Sequence, residues 1–220
     1  MADVLDAKEA GTLASTPLRM LDVAEQLFAQ KGIDMVSIRE IVLASGQANP
    51  SAARYHFGTR EALIGALLER RIRAINILRV QRLDALEASG EAADVHALIS
   101  LAVGTLGDIV RTEPWGGNYV RVAAQALFSP QLHLRSLIDP EAWAGHNRLN
   151  AKLRALLPDL PEAVFRERIR IFSYEAIYSV ARWVQSHGAV TGRNRQKFDA
   201  MLRTTRDFLA AGIAAPMGPA

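Results

Sequence analysis

Residues 37–63 read SIREIVLASGQANPSAARYHFGTREAL, and this stretch decides the fold. Ser37 and Glu40 form an S-x-x-E capping box, so a helix starts there with Ile38, Ile41, Val42 and Ala44 on its apolar side. Gly46, able to adopt the left-handed backbone, ends it. Pro50 suits the first turn of a shorter helix running through Tyr55, because a proline there forfeits no helical hydrogen bond. Gly58 stops that helix, Thr59 caps the next, and Glu61 lies near its positive end. Helix, tight turn, helix is the arrangement that lays its second helix in a DNA major groove.

Base edges are read by side chains from the early turns of such a helix. Asn49, Ser51, Ala52 and Arg54 are candidates, with Gln47 from the turn. Arg54 leads, because a guanidinium grips the O6 and N7 of guanine bidentately; a phosphate contact is its alternative. Ser51 and Ala52 would meet a thymine methyl or a phosphate. Ser37 caps its helix while the free N–H groups beside it remain open to a phosphate.

The same stretch resembles the DNA-binding domain of the TetR family of bacterial transcriptional regulators. The resemblance is carried by Ala24, Leu27, Phe28 and Gly32, then Ser37, Ile41, Ala44 and Gly46, and finally Tyr55-His56-Phe57-Gly58 followed by Thr59-Arg60-Glu61-Ala62-Leu63. It covers roughly residues 16–70. Two features depart from the family pattern. Gln47-Ala48-Asn49 make the turn one residue longer, and Arg54 stands where a second tyrosine is frequent. Both fall where bases are read, so the operator is not inherited from relatives. The resemblance implies a phosphate contact for Tyr55, a backbone or positioning role for His56, and a DNA contact for Arg39. It also implies a phosphate role for Arg60, where the family usually has lysine. Phe57 reads instead as a core plug.

Half of the 220 residues are apolar, enough to bury a core in one sizeable domain or two small ones. Apolar residues recur at three- and four-residue spacing almost throughout, which predicts an all-α protein. The chain has no cysteine, which excludes disulfides and thiolate metal sites and suits a reducing cytoplasm. The opening MADVLDAKEAGTLAS has no signal-peptide pattern, and no apolar stretch is expected to reach bilayer length; the expectation is a cytoplasmic chain with no membrane partner. A net charge of +3 permits nucleic-acid binding without demonstrating it. Arg39, Arg54, Arg60, Arg70, Arg71 and Arg73 gather around the reader, against Glu40, Glu61 and Glu69. Catalytic and metal motifs are missing from the sequence: no H-E-x-x-H, Gly-rich phosphate loop or nucleophile elbow. No enzyme activity, metal or cofactor is expected.

Around the reader, Thr16-Pro17 predicts the start of a first helix with Leu21, Ala24, Leu27 and Phe28 on its stripe, closed at Gly32 by Ile33. Residues 1–15 and 214–220 are expected to be loose tails. A fourth helix runs from about Arg60 to Ser89-Gly90, taken as the boundary between a head (16–88) and a second helical lobe (89–213). In that lobe helices are expected at about 92–112, 118–128, 141–157, 162–187 and 195–211, with a short piece ending at Asp139-Pro140.

His96, Trp115, Tyr119, Phe128, His133, Trp143, His146, Tyr174, Glu175 and Tyr178 are the polar-tipped or aromatic side chains of the lobe that can line a small-molecule pocket. Each one singly also fits ordinary packing, and Glu175 also fits an ion pair with Arg170 or Arg182. The last two helices are richest in large apolar residues. Phe172, Trp183, Met201 and Phe208 are therefore expected at a homodimer seam, where the family resemblance also puts it. A lone helix-turn-helix makes too few contacts to hold one site strongly, which argues independently for a dimer. The reading is a three-helix DNA-binding head with a helical regulatory and dimerisation lobe. The expected function is a repressor released from double-stranded operator DNA by an unidentified small molecule. Two alternatives stand: a ligand-independent DNA-binding regulator or activator, and a ligand-binding or enzyme lobe with a vestigial head.

Overall fold

The computed structural model describes the backbone of residues 3–49, 51–90 and 93–217, with side chains from Thr16 onward. These residues form ten α-helices and no strand. Helix α1 (Asp3–Lys31) is joined by a tight turn to α2 (Ile38–Ala44), which leads through the 45–51 turn to α3 (Ala52–Phe57). The long α4 (Arg60–Ala88) connects this head to the lobe of α5 (Val95–Thr112), α6 (Gly116–Phe128), α7 (Leu134–Leu137), α8 (Ala144–Leu156), α9 (Glu162–His187) and α10 (Arg195–Ala214). A 3-10 turn, Pro140–Trp143, precedes α8.

Most helix ends follow from local chemistry. Thr59 Oγ1 accepts the Ala62 N–H at 3.1 Å, and Asp94 caps α5 by accepting from Ala97 at 2.7 Å. Gly32 (φ 100°) and Gly46 (φ 74°) close α1 and α2 in the left-handed region where a side chain is strained. One start departs from expectation. Helix α1 begins at Asp3 and runs through Pro17, so Thr16-Pro17 opens nothing and residues 3–15 continue the helix. Proline removes only one hydrogen bond, and the Leu-, Ala- and Glu-containing run before it favours helix. The expected role of Pro50 lies outside the described residues, as do the last three residues of the expected C-terminal tail.

One core runs through the molecule. Phe28, Ile41, Leu63, Ile64, Leu67 and Leu68 fill the head, while Leu98, Ile99, Val120, Leu153, Val180 and Phe198 fill the lobe. Two polar devices tie α1 to the rest. Glu25 and Arg71, only 2% and 7% exposed, pair between α1 and α4 at 2.5 Å, and the Arg71 guanidinium lies 4.6 Å from the Trp115 ring centre. From α6, Gln125 accepts the Ile33 N–H at 2.7 Å and donates to the Phe28 carbonyl at 3.3 Å, bridging lobe and head.

Helix α5 corrects one expectation. Its 18 residues have a mean hydropathy of 1.2, long and apolar enough to cross a bilayer by length and composition, whereas no such stretch was expected. Half of it is buried within the fold. Its polar groups are paired there: Asp108 with Arg82, and Arg111 with Asp199 at 2.5 Å.

Candidate nucleic-acid interface and ligand cavity

The outer face of the head carries few side chains free to meet DNA. Arg39 and Arg54 are exposed, and so are Ser37 and Ser51. Tyr55 is 83% exposed, its ring edge-on to His56 at 5.0 Å, so its hydroxyl is open to a backbone phosphate. His56 and Phe57 are half-buried, with Phe57 packed against the core. Gln47 is half-buried in the turn. Asn49 is exposed, but its Oδ1 accepts the Ser51 N–H at 2.9 Å, so it shapes the entry to α3 while its amide N–H₂ remains a donor. Ser37 accepts the Glu40 N–H at 3.1 Å. The reciprocal half of that box is replaced, because Glu40 takes Lys31 at 2.6 Å.

Three expectations change here. Ala52 is 9% exposed with its methyl turned to the core, so it reads no base. Arg60 does not present itself to phosphate: its Nη1 donates to the Val36 carbonyl at 2.6 Å, its Nη2 to that of Ile33, and it lies over Phe28. It braces the α1–α2 turn, using a fork that lysine lacks. The arginines downstream are also committed. Arg70 pairs with Asp22 at 2.8 Å, Arg71 with Glu25, and Arg73 with Glu69 and Asp139 at 2.9 and 2.6 Å. A run of arginines in sequence is thus not a basic patch in space. Arg19 is an addition to the candidate interface: it is exposed, and its Nη2 would lie 3.3 Å from a Cβ added to Gly46. Its place beside the turn was illegible because α1 brings it there from outside the motif.

Two adjoining chambers lie in the lobe. The inner one, about 120 Å³, is walled by Leu68, Ile72 and Ile75 of α4, Leu106 of α5, Tyr119 and Ala123 of α6, and Phe172 and Ala176 of α9. Arg79, Trp143 and His146 supply most of its polar lining. The outer chamber, about 680 Å³, shares Leu127, Leu134, Trp143, His146 and Ser173 with it and adds His133, Arg135, Asn150, Arg166, Arg170 and Tyr174. Burial, then the charges of Arg79 and Arg135, pushes His146 down to about 3, so the ring is neutral. Burial pushes the Tyr119 phenol up to about 12, keeping its proton. The Arg79 Nε, the Trp143 Nε1 and the Asn150 Oδ1 are buried without a hydrogen-bond partner among the described residues.

Of the expected lining, Tyr119, Trp143, Tyr174, His133 and His146 come together here. The rest do not. His96 meets Asp207 at 3.1 Å on the surface, and Trp115 stacks on Arg71. Phe128 is 62% exposed and leans on Tyr174 and Tyr178. Glu175 accepts from Ser179 at 2.7 Å rather than meeting Arg170 or Arg182. Arg79 is an addition to the expected lining; the signal for it in the sequence is that Leu68, Ile72, Ile75 and Arg79 form one helical stripe, with a cation where an apolar residue is due.

The expected dimer seam is also revised. Phe172 is 4% exposed and lines the inner chamber. Trp183 is 7% exposed, stacked on His187 and packed against Phe198 at 4.6 Å, within its own subunit. Met201 packs half-buried against the core. Phe208 alone of the four is outward, 70% exposed, and Ile171 and Tyr178 are 52% and 47% exposed on α9. Helices α9 and α10 run antiparallel, Arg168 meeting the Ile213 carbonyl at 2.8 Å, which sets Phe208 at a height between Ile171 and Tyr178.

A family model described as bacterial regulatory proteins, tetR family, matches residues 20–67. A second, described as tetracyclin repressor-like, C-terminal domain, matches residues 100–212, more than half of the chain. No curated protein is significantly similar to it. Among solved structures, the fatty acid degradation regulator FadR from Bacillus halodurans shares 16% identity at a TM-score of 0.58, covering 90% of this chain and 98% of that one. FadR from Bacillus subtilis, in complex with stearoyl-CoA, shares 16% at 0.57, covering 91% and 99%. A Shewanella sp. PV-4 protein assigned to the tetR family of transcription regulators shares 16% at 0.62, covering 88% and 95%. These likenesses establish the all-helical fold with its N-terminal head.

Proposed function

The chain belongs to the tetR family of bacterial regulatory proteins, and from that premise we propose that it is a transcriptional repressor whose hold on operator DNA is released by a small molecule in the lobe. One observation carries this reading. Helix α4 lines the inner chamber with Leu68, Ile72, Ile75 and Arg79, and the same helix is capped by Thr59, two residues after α3 ends. A ligand in the chamber touches the element that positions the reading helix. It shifts the heads only by binding one of their arrangements better than the other. The stearoyl-CoA in Bacillus subtilis FadR is a precedent for a ligand in this fold.

The test is a titration of a candidate ligand with and without DNA from upstream of the chain's own gene, reading tryptophan fluorescence and DNA retention together. Linkage requires that ligand and DNA weaken each other by the same factor, typically about 5–150-fold. Fluorescence suits the purpose because Trp115, Trp143 and Trp183 all lie in the lobe. A compound that fills the chamber and leaves DNA retention unchanged would count against the sensor role.

Two heads on one operator require a dimer, and its seam is the α9–α10 face bearing Ile171, Tyr178 and Phe208. Phe208→Glu is expected to convert the dimer to monomer in sedimentation, since an unpaired carboxylate in a desolvated seam costs several kcal/mol. Trp183→Glu is expected instead to damage the fold. A wild-type chain that sediments as a monomer at micromolar concentration would sink the dimer.

A further inference from the structure

We propose that the ligand of this cavity is a small monocarboxylic acid, its anion held against Arg79 and its apolar body against Ile72, Leu106 and Phe172. The inference rests on reading the cavity as the sensor site and adds the chemistry of what it senses.

Arg79 is the reason. It is half-buried, its Nε is shut off from solvent, and it meets no carboxylate among the described residues. Neighbouring arginines solve the same problem with anions: Arg82 takes Asp108, Arg111 takes Asp199, and Arg148 takes Asp84 and Glu87. A guanidinium whose Nε is buried and unpaired destabilises the fold, so an anion supplied from outside finds a driving force there. No Asp or Glu lines either chamber, so nothing repels that anion.

Two further polar groups of the inner chamber are donors, while the orphaned Asn150 Oδ1, an acceptor, belongs to the outer chamber. The Trp143 indole N–H is buried without a partner, and the Tyr119 hydroxyl keeps its proton. Asn150 Nδ2 lies 2.9 Å from His146 Nε2, which makes that nitrogen an acceptor and leaves the ring proton on Nδ1. Arg135, over the Trp143 ring at 4.8 Å, adds a second cation at the junction of the chambers. The rest of the inner wall is apolar apart from Ser173, whose hydroxyl is spent on the Ile169 carbonyl at 2.8 Å. The inner chamber, about 120 Å³, is close to the ~150 Å³ cavity that houses a benzene ring, so the body of the acid is a ring or a short chain. A longer tail has the outer chamber to enter.

The experiment is calorimetry on the full chain with benzoate and octanoate, each against its uncharged counterpart, benzyl alcohol and 1-octanol. At least one acid is expected to bind about ten- to a hundredfold tighter than its alcohol, the range of a charged hydrogen bond. Arg79→Met should abolish the preference while leaving the alcohols' affinity little changed, and Arg79→Lys should keep part of it. Without ligand, Arg79→Met should melt at a higher temperature than the wild type, whereas an arginine serving the fold would lower it. The proposal is overturned if the alcohols bind as tightly as the acids, if neither acid binds at millimolar concentration, or if Arg79→Met keeps the preference. DNA retention, read in the same samples, separates the two claims. Acid binding that leaves DNA bound upholds the carboxylate site and overturns the sensor reading; DNA released by a neutral compound when no acid binds does the reverse.

Discussion

Glu25→Ala is expected to lower folding stability by about 3–5 kcal/mol, because it strands the Arg71 guanidinium in the core. Arg71 Nε donates to both carboxylate oxygens of Glu25 at 3.0 and 3.1 Å, and its Nη2 reaches Oε2 at 2.5 Å. Its remaining carboxylate, Asp22, lies 3.2 Å away and is half-exposed, a poor substitute. Burial pushes the Glu25 carboxyl up despite the arginine beside it, so the pair is held against a large desolvation cost. Glu25→Leu with Arg71→Met, which removes both charges, is therefore expected to be far milder than Glu25→Ala alone. Urea denaturation of the three proteins measures this. A single variant that loses under about 1 kcal/mol would mean that Asp22 takes over the guanidinium and that the pair is not the anchor described.

Affinity for operator DNA is expected to drop about a thousandfold between roughly 50 and 200 mM salt. Arg19, Arg39 and Arg54 from two heads would neutralise about six phosphates, a slope of about −5 in log affinity against log salt. Arg54→Ala should flatten that slope by about 2 units where Arg54 meets a phosphate in each head, or relax selection at one base pair per half-site where it grips a guanine instead. Arg60→Ala should leave the slope in place and instead loosen the α1–α2 turn, since its guanidinium is bound to the Ile33 and Val36 carbonyls. A slope of about zero would exclude the nucleic-acid role; a slope that Arg60→Ala flattens more than Arg54→Ala does would return Arg60 to the phosphates.

Much of this fold was legible because caps and periodicity are local. Pro161 and Gly188 bracket α9 at the expected residues, and the Ser37 and Thr59 caps fall where their side chains predict. Which way a side chain faces is a tertiary matter. Phe172 and Trp183 have the size and apolarity of interface residues, and a core asks for the same properties, so sequence could not separate the two. Arginines 60, 70, 71 and 73 lie close together along the chain, but α4 turns Arg70 and Arg71 toward α1 and Arg73 toward Asp139. The candidate site was half-readable for the same reason. Tyr119, Trp143 and Tyr174 are aromatic and so read as candidates, while Arg79 carries no local mark in sequence, beyond its place on the α4 stripe, that separates it from the other arginines of a long helix.

The amide of Gln125 carries a consequence for how such a protein would respond to a signal. It satisfies the N–H of Ile33, a residue only 5% exposed, together with the Phe28 carbonyl at the end of α1. The Phe28 carbonyl keeps the Gly32 N–H at 2.9 Å, so a small drift of α6 orphans the Ile33 N–H, at a cost of about 1–3 kcal/mol. Intermediate separations of lobe and head are therefore the unfavourable ones. The contact works as a detent, seated or sprung. A graded occupancy among many molecules then appears, in each single molecule, as a jump between two settings.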